Sequence, residues 1–566
     1  MLFTLHRYVF RELFRVFILA AVALTLILSL GSVLQPIQEY GVGPRQVVYL
    51  MGYFLPITLT FVLPMAALFA GALVYGRLAS DNELDACRAS GISLPAMTYP
   101  GLALAIMVAI ANLILSFYVM PVFVHRAEQS FKADAKQILF RNIQRRRYYE
   151  LPPDGRYLIY ADQANLQNDT LLGAVVTEMK DNQIEKIIVA EVAKVIFNVN
   201  ETFSQVQIIA YKSIQMGAEG EGGAELGSVT REVSSLLGDE INFKKIDEMR
   251  RIQADPMQFY PVAQLAREMY GQLFIELLAE DIGQGTRDEG RGARGEGKAS
   301  LPPLLPQGPQ APPPAAPGPR PEAGAWYELL GEPNSVKFTA RQYRVQDADV
   351  ELFDDVMVVE YDTDSRQPLH TFTCARASLH LEGDPLAPTL TMDISSARDV
   401  DSGQLTMRYI VRGLIPPQPV EDKANEFKTR KGSLKPQEMA AGLSAIPGLQ
   451  PSTDLRRLRD RLHWEILTAF VQIKAEIHSR LVFGMGCIPM ILIGIGLGII
   501  KKGGHLLSAF GASCVPAAVL AVCIMSGKQL TQNMSAQTIS GIGLMWGGLG
   551  VLSLLAAGIY GWLFKH

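Results

Sequence analysis

LVFGMGCIPMILIGIGLGII, residues 481–500, is a run of twenty positions without one charged side chain. A helix rises about 1.5 Å per residue, so such a run reaches across the roughly 30 Å hydrocarbon core of a bilayer. Five more windows share the property: Val16–Leu34, Val47–Tyr75, Leu94–Val124, Leu506–Gly527 and Ile539–Phe564. In lipid only helices and closed barrels satisfy their own backbone hydrogen bonds, and continuous apolar runs do not alternate as barrel strands do. One such window could be a core helix of a large enzyme; six gathered at the two ends of a chain are not. They predict six transmembrane helices, three before and three after a long insert.

Whole-chain averages hide this division. The 566 residues are 49% hydrophobic and 19% charged, with 52 basic against 56 acidic side chains. That balance points to no nucleic acid partner, and the windows exclude a wholly soluble globule. Arg7, Arg11 and Arg15 precede the first window as a signal peptide's basic flank would. The window is longer than a signal core, and no convincing small-x-small cleavage site follows, so it reads as a retained span. With six spans both termini share a side. If that side is the cytoplasm, its short segments hold Arg7, Arg11, Arg15, Arg77, Arg88, Lys501, Lys502 and Lys565, against only Arg45 and Lys528 opposite. The positive-inside rule therefore places both termini inside and the insert outside.

The predicted layout is spans one to three in residues 1–124, an external β-rich domain in 125–480, and spans four to six in 481–566. Within the domain, Leu171–Glu178, Ile184–Val189, Val192–Val199, Phe203–Tyr211, Asp349–Tyr361, Ala375–Leu381, Thr389–Ile394 and Thr406–Val411 are short, β-branched-rich and bounded by turn residues. Many short strands suggest a sandwich or jelly roll. Tyr260–Ala279 has helical spacing, and Leu455–Arg480, with Ser452 and Thr453 as candidate caps, predicts a helix running into the fourth span. Asp281–Ala325 contains 10 Pro and 9 Gly. It buries too little apolar surface to offset its ordering entropy and reads as a disordered linker, its Pro-rich half a candidate binding segment.

Catalytic motifs do not occur. The Gly-Lys pairs at Lys298 and Lys528 are followed by Ala and Gln, so neither is a phosphate-cradling loop. His-Glu-x-x-His, Cys-x-x-Cys and Gly-x-Ser-x-Gly are absent, and neither a metal site nor a cofactor is predicted. Cys487, Cys514 and Cys523 fall in spans, Cys87 in a cytoplasmic loop and Cys374 alone in the outer domain, which implies no disulfide framework.

One cytoplasmic stretch stands out. Residues 76–93, between the second and third windows, read GRLASDNELDACRASGIS. Ser80 and Glu83 have capping-box spacing, and Gly91 is placed to end a helix near 80–91 in a left-handed cap. Such a helix could insert into a groove on a soluble partner, or be a plain connecting turn.

That stretch resembles the signature of the LptF/LptG permeases of lipopolysaccharide export, also called the YjgP/YjgQ family. Arg7-Tyr8-Val9-Phe10-Arg11-Glu12-Leu13 is similar to the family's opening, and Glu476-Ile477-His478-Ser479-Arg480-Leu481 resembles its entry to the fourth span. The resemblance covers both membrane halves; the outer domain matches in kind. It implies a permease without its own ATPase, paired with a second LptF/LptG-type chain or a second copy, on a cytoplasmic LptB-like ATPase dimer. The loop helix would then dock on the ATPase through Glu83, with Leu84 and Arg88 on the neighbouring surface and Ser80 and Gly91 at its ends. Lipopolysaccharide or a related lipid would enter from the inner membrane and leave by the jelly roll to a periplasmic bridge of similar jelly rolls.

Basic groups at the outer membrane edge suit lipid phosphates, because charge-assisted hydrogen bonds there are partly desolvated. Arg480 and Lys528, then Arg45 and Lys474, are the candidates; simple snorkelling is the other reading of each. The chain departs from the family in a longer insert and in a sixth window with neither Pro nor Asn, where the family commonly has a Pro-Asn pair. F-like or G-like role and homo- or heterodimer stay open. A membrane anchor displaying a β domain is the alternative function. A secondary transporter is disfavoured, because no window holds an ionisable residue near mid-membrane.

Overall fold

The computed structural model describes residues 2–40, 44–150, 157–180, 183–199, 204–217, 220–233, 240–288, 326–346, 348–383, 386–400, 402–430, 432–442, 449, 451–500, 506–532 and 538–565. The chain divides into two units, Met1–Gln253 with Thr468–His566, and Ala254–Leu467. Among the described residues five helices are long and apolar enough to span a membrane: Phe3–Gly31, Leu55–Ser80, Leu94–Arg126, Thr453–Ile500 and Ile539–Lys565. With two antiparallel sheets, they make this a multi-pass membrane protein carrying β structure. The remaining window, Leu506–Gly527, is helical, but side chains 506–514 lie outside the described residues.

In the first unit, α1 (Leu2–Tyr40), α2 (Pro44–Ser80) and α4 (Leu94–Ile114) pack with α10 (Thr453–Ile500). Val9, Leu13 and Phe17 of α1, four apart, form one buried stripe, the expected periodicity of a helix face. Between α2 and α10 the backbones nearly touch. A Cβ on Gly494 would lie 2.5 Å from the Leu68 carbonyl oxygen, and one on Gly498 2.6 Å from that of Ala72. Lipid provides no hydrophobic drive between helices, so small residues that permit close approach carry the packing. A second cluster joins α10 to α11 (Leu506–Gln532) and α12 (Thr538–Lys565) through Val482, Met490, Leu520, Met545 and Leu552.

The third span does not end at its apolar window. After α4 comes one π turn, Leu115–Val119, and then α5 (Met120–Arg146). Pro121 accounts for the irregularity: it has no N–H, and its ring would meet the carbonyl of Phe117 in a regular helix. The far end of α5 buries Leu139, Phe140 and Ile143 against a six-stranded antiparallel sheet. Its strands are β1 (Tyr148–Glu150), β2 (Tyr157–Asn165), β3 (Thr170–Lys180), β4 (Gln183–Val199), β5 (Ser204–Gly217) and β6 (Gly220–Val233). The two strands expected at Ile184–Val189 and Val192–Val199 are one continuous β4.

The second unit holds α7 (Tyr260–Asp288), buried along most of its length, and β7 (Tyr327–Leu329) to β13 (Leu405–Leu414). Between these lie β8 (Asn334–Thr339), β9 (Gln342–Gln346), β10 (Asp349–Asp362), β11 (Pro368–Glu382) and β12 (Thr389–Asp399). This sheet curls on itself: Ile415 N donates to Leu330 O at 2.6 Å, so the end of β13 meets the β7–β8 connection. Ser452 caps α10, its hydroxyl accepting from Leu455 N at 3.0 Å, and Thr453 is the first helical residue.

Two expectations need correction. A jelly roll requires Greek-key crossovers, whereas the described strands follow one another as meanders, β1 to β6 in the first sheet and β7-β8-β10-β11-β12-β13 in the second, with β9 also on β10. The linker expected at Asp281–Ala325 does not start at Asp281. Residues up to Asp288 continue α7, because Ile282 adds an apolar contact to its buried face; residues 289–325 lie outside the described residues.

Candidate functional site

The loop between α2 and α4 carries α3 (Glu83–Ala89). Its start corrects the capping-box expectation. Ser80 is still in the last turn of α2, and its hydroxyl donates back to Arg77 O at 2.9 Å. The N-cap is Asn82, in a left-handed conformation (φ 58°), whose carbonyl accepts from Ala86 N at 3.0 Å. Glu83 is thereby the first helical residue, where a carboxylate meets the positive end of the helix dipole. The C-terminal expectation agrees with the geometry. Gly91 has φ 84°, Gly91 N donates to Arg88 O at 2.9 Å and Ile92 N to Cys87 O at 3.1 Å, which is the Schellman pair.

α3 has two faces. Leu84 is 6% exposed and belongs to the core of the spans, which corrects its expected place on a docking surface: it roots the helix. Glu83 and Arg88 are exposed. The loop is tied down on both sides. Tyr75 Oη donates to Met97 O at 2.8 Å, and His6 Nε2 lies 2.9 Å from Ala96 O. Arg77 pairs with Glu12 at 3.1 Å.

The second feature is an ion cluster in the same unit, and it brings two predicted residues together. Glu476 takes Arg480 Nε on one oxygen at 2.8 Å and Lys528 Nζ on the other at 2.6 Å. Arg480 also donates to Asn242 O at 2.7 Å and Lys244 O at 3.3 Å, and Lys528 to Asn242 Oδ1 at 3.0 Å. The Arg480 side chain is 3% exposed and that of Lys528 25%. Arg480 is therefore internally committed and not a snorkelling side chain, while Lys528 keeps access to solvent. Two cations share one carboxylate, so the cluster carries a net positive charge. Lys474 is exposed on α10, and the Arg45 side chain lies outside the described residues. Glu476 escaped the list of candidates, although its i,i+4 spacing to Arg480 was a legible signal; nothing in the sequence marks Asn242.

The third feature was not anticipated. One face of the first sheet is covered by α5, and the other is exposed and apolar. Across β2–β5 the register aligns Tyr160, Val175, Val189 and Ile214 in one row, and Leu158, Thr177, Ile187 and Met216 in the next. Leu172, Val192 and Tyr211 align in a third. Tyr160, Leu172, Val189, Tyr211, Ile214 and Met216 are each 38–49% exposed. The alternation was there to be read, but the exposed and covered faces are both apolar, so no polar face marked the outside. An uncovered apolar patch spanning four strands is a candidate surface for an apolar partner.

Among the described residues no group of three His, Cys, Asp or Glu side chains could hold a metal ion. No curated protein matches the chain. A family model does: that of the lipopolysaccharide export system permease LptF/LptG matches residues 7–213, from the first turns of α1 into β5. By that match, the part of this chain from its first span into β5 is similar to the LptF/LptG permease family.

Proposed function

We propose that the chain is a permease subunit of lipopolysaccharide export, taking this or a similar large lipid from the inner membrane and passing it to a periplasmic bridge. The observation that carries the reading is the exposed apolar face of the first sheet, in one unit with the spans. A lipid leaving a bilayer must exchange its acyl chains onto another apolar surface, because exposure costs about 0.8 kcal/mol per CH₂. The family match supports the same role.

In this reading six spans put both termini in the cytoplasm and both sheets in the periplasm. Glu83 and Arg88 face a cytoplasmic ATPase of LptB type, with Leu84 as the root. The second permease chain is an LptF/LptG-type partner or a second copy. Lys528, with Lys474 and Arg45, meets lipid phosphates, and Arg480 holds Lys528 in place through Glu476.

The test uses photo-crosslinking residues placed at Leu172, Val189 or Ile214, and at Ile188, which is buried beneath α5. Lipid adducts on the exposed positions, absent at Ile188, support the permease. A chain that captures no lipid and co-purifies with no ATPase supports the anchor instead. Glu83→Arg should abolish ATPase recovery while leaving the chain folded.

A further inference from the structure

Four segments of the first unit meet in one cluster around Arg480. Its Nε is held by Glu476 on α10. Its two terminal nitrogens take the carbonyls of Asn242 and Lys244, in the segment by which the chain returns from the first sheet. The guanidinium carbon lies 5.6 Å from the centre of the Phe117 ring, in the π turn by which the chain leaves for that sheet. Through Glu476 and Asn242 the cluster also holds Lys528 of α11. The outgoing and returning connections of the sheet, and two spans, are thus clasped by a single buried group.

Stability alone does not account for this. A buried ion pair gains little over apolar residues of similar volume, because desolvation offsets its attraction. What a guanidinium adds is direction: a planar fork sets the relative position of every group it binds, which a lysine ammonium on a flexible stem does not. The π turn makes the point sharper. A helix with an irregular hydrogen-bond ladder is where a displacement of α4 would be absorbed before reaching α5, and Arg480 sits against that turn.

We propose that Arg480, held by Glu476, is a positioning residue that locks both connections of the first sheet to α10 and α11, so that movement of the spans is transmitted to the sheet. That such movement drives lipid transfer rests on the permease reading above; the mechanical link does not.

The experiment reconstitutes the full complex in vesicles and measures ATP hydrolysis and lipid transfer to an acceptor for wild type, Arg480→Lys, and the apolar pair Glu476→Leu with Arg480→Met. The expected result is lipid moved per ATP down about tenfold for both variants. Transfer per ATP equal to wild type in either variant overturns the proposal. Hydrogen exchange on the wild-type complex decides it should the variants not fold. Nucleotide should change protection both at Asn242–Lys244 and in β2–β5, and a change confined to the spans overturns the link. If wild type moves no lipid, the permease reading falls, while the exchange result still judges the link.

Discussion

Tyr75, near the end of α2, donates its hydroxyl to the carbonyl of Met97, in the first turn of α4, at 2.8 Å. Both residues are buried, and the bond closes the loop that carries α3. Tyr75→Phe deletes the donor with little change in volume. The expected loss is about 1 kcal/mol, read as a lower thermal midpoint of the purified protein in detergent. An unchanged midpoint would mean that Leu84 and the Arg77–Glu12 pair suffice to hold the loop.

Neighbours on α3 should behave in opposite ways. Leu84→Ala opens a cavity in the core of the spans and should cost about 2–3 kcal/mol, visible in thermal unfolding before any partner is added. Glu83→Arg changes an exposed side chain and should leave the midpoint nearly unmoved. If instead Glu83→Arg destabilised the isolated chain and Leu84→Ala did not, the two faces of α3 would be wrongly assigned.

The close approach of α2 and α10 predicts a contrast between glycines. A side chain at Gly498 would meet Ala72 O at 2.6 Å and Gly76 N at 2.9 Å. Gly498→Val should therefore destabilise the protein by about 1–3 kcal/mol or more through overpacking. At Gly547 of α12 an added Cβ would meet nothing within 4 Å. Gly547→Ala should be neutral, or stabilising by up to about 1 kcal/mol, because glycine is a poor helix former. Stability of each variant in detergent checks both.

Cys374 gives a pH signature for the second unit. Burial on β11 pushes its thiol up to about 11 from the ordinary 9.0. At pH 8 its thiolate fraction should be about a hundredfold below that of a thiol of ordinary pKa. Maleimide labelling, followed by mass spectrometry, should be correspondingly slow and keep accelerating as pH rises toward 11. The fold favours the neutral thiol, so the stability this contributes is complete below the ordinary pKa and is lost as pH rises through about 11. Labelling at the rate of a denatured control would contradict the burial.

The alternation of charge-free windows with a charged insert made the membrane helices legible, because crossing lipid is a matter of run length and composition, both local properties. Local chemistry likewise marked Gly91 as a helix end, and Ser452 as a helix start. The start of α3 was misread for an equally physical reason. Ser80 and Glu83 have the right spacing for a capping box, but α2 continues through Ser80 and claims its hydroxyl.

Everything that depends on which faces meet was left to the tertiary structure. Sequence alone identified Arg480 and Lys528 as basic groups at a membrane edge; only the fold placed Glu476 between them and drew in Asn242 and Lys244 from more than 230 positions away. Alternating apolar residues in β2–β5 announced strands, yet which face α5 would cover depended on register and on the length of that helix. Spans, caps and turns follow from neighbours along the chain, whereas a shared carboxylate or an uncovered sheet face follows from contacts between distant segments, and those form only when the chain has packed.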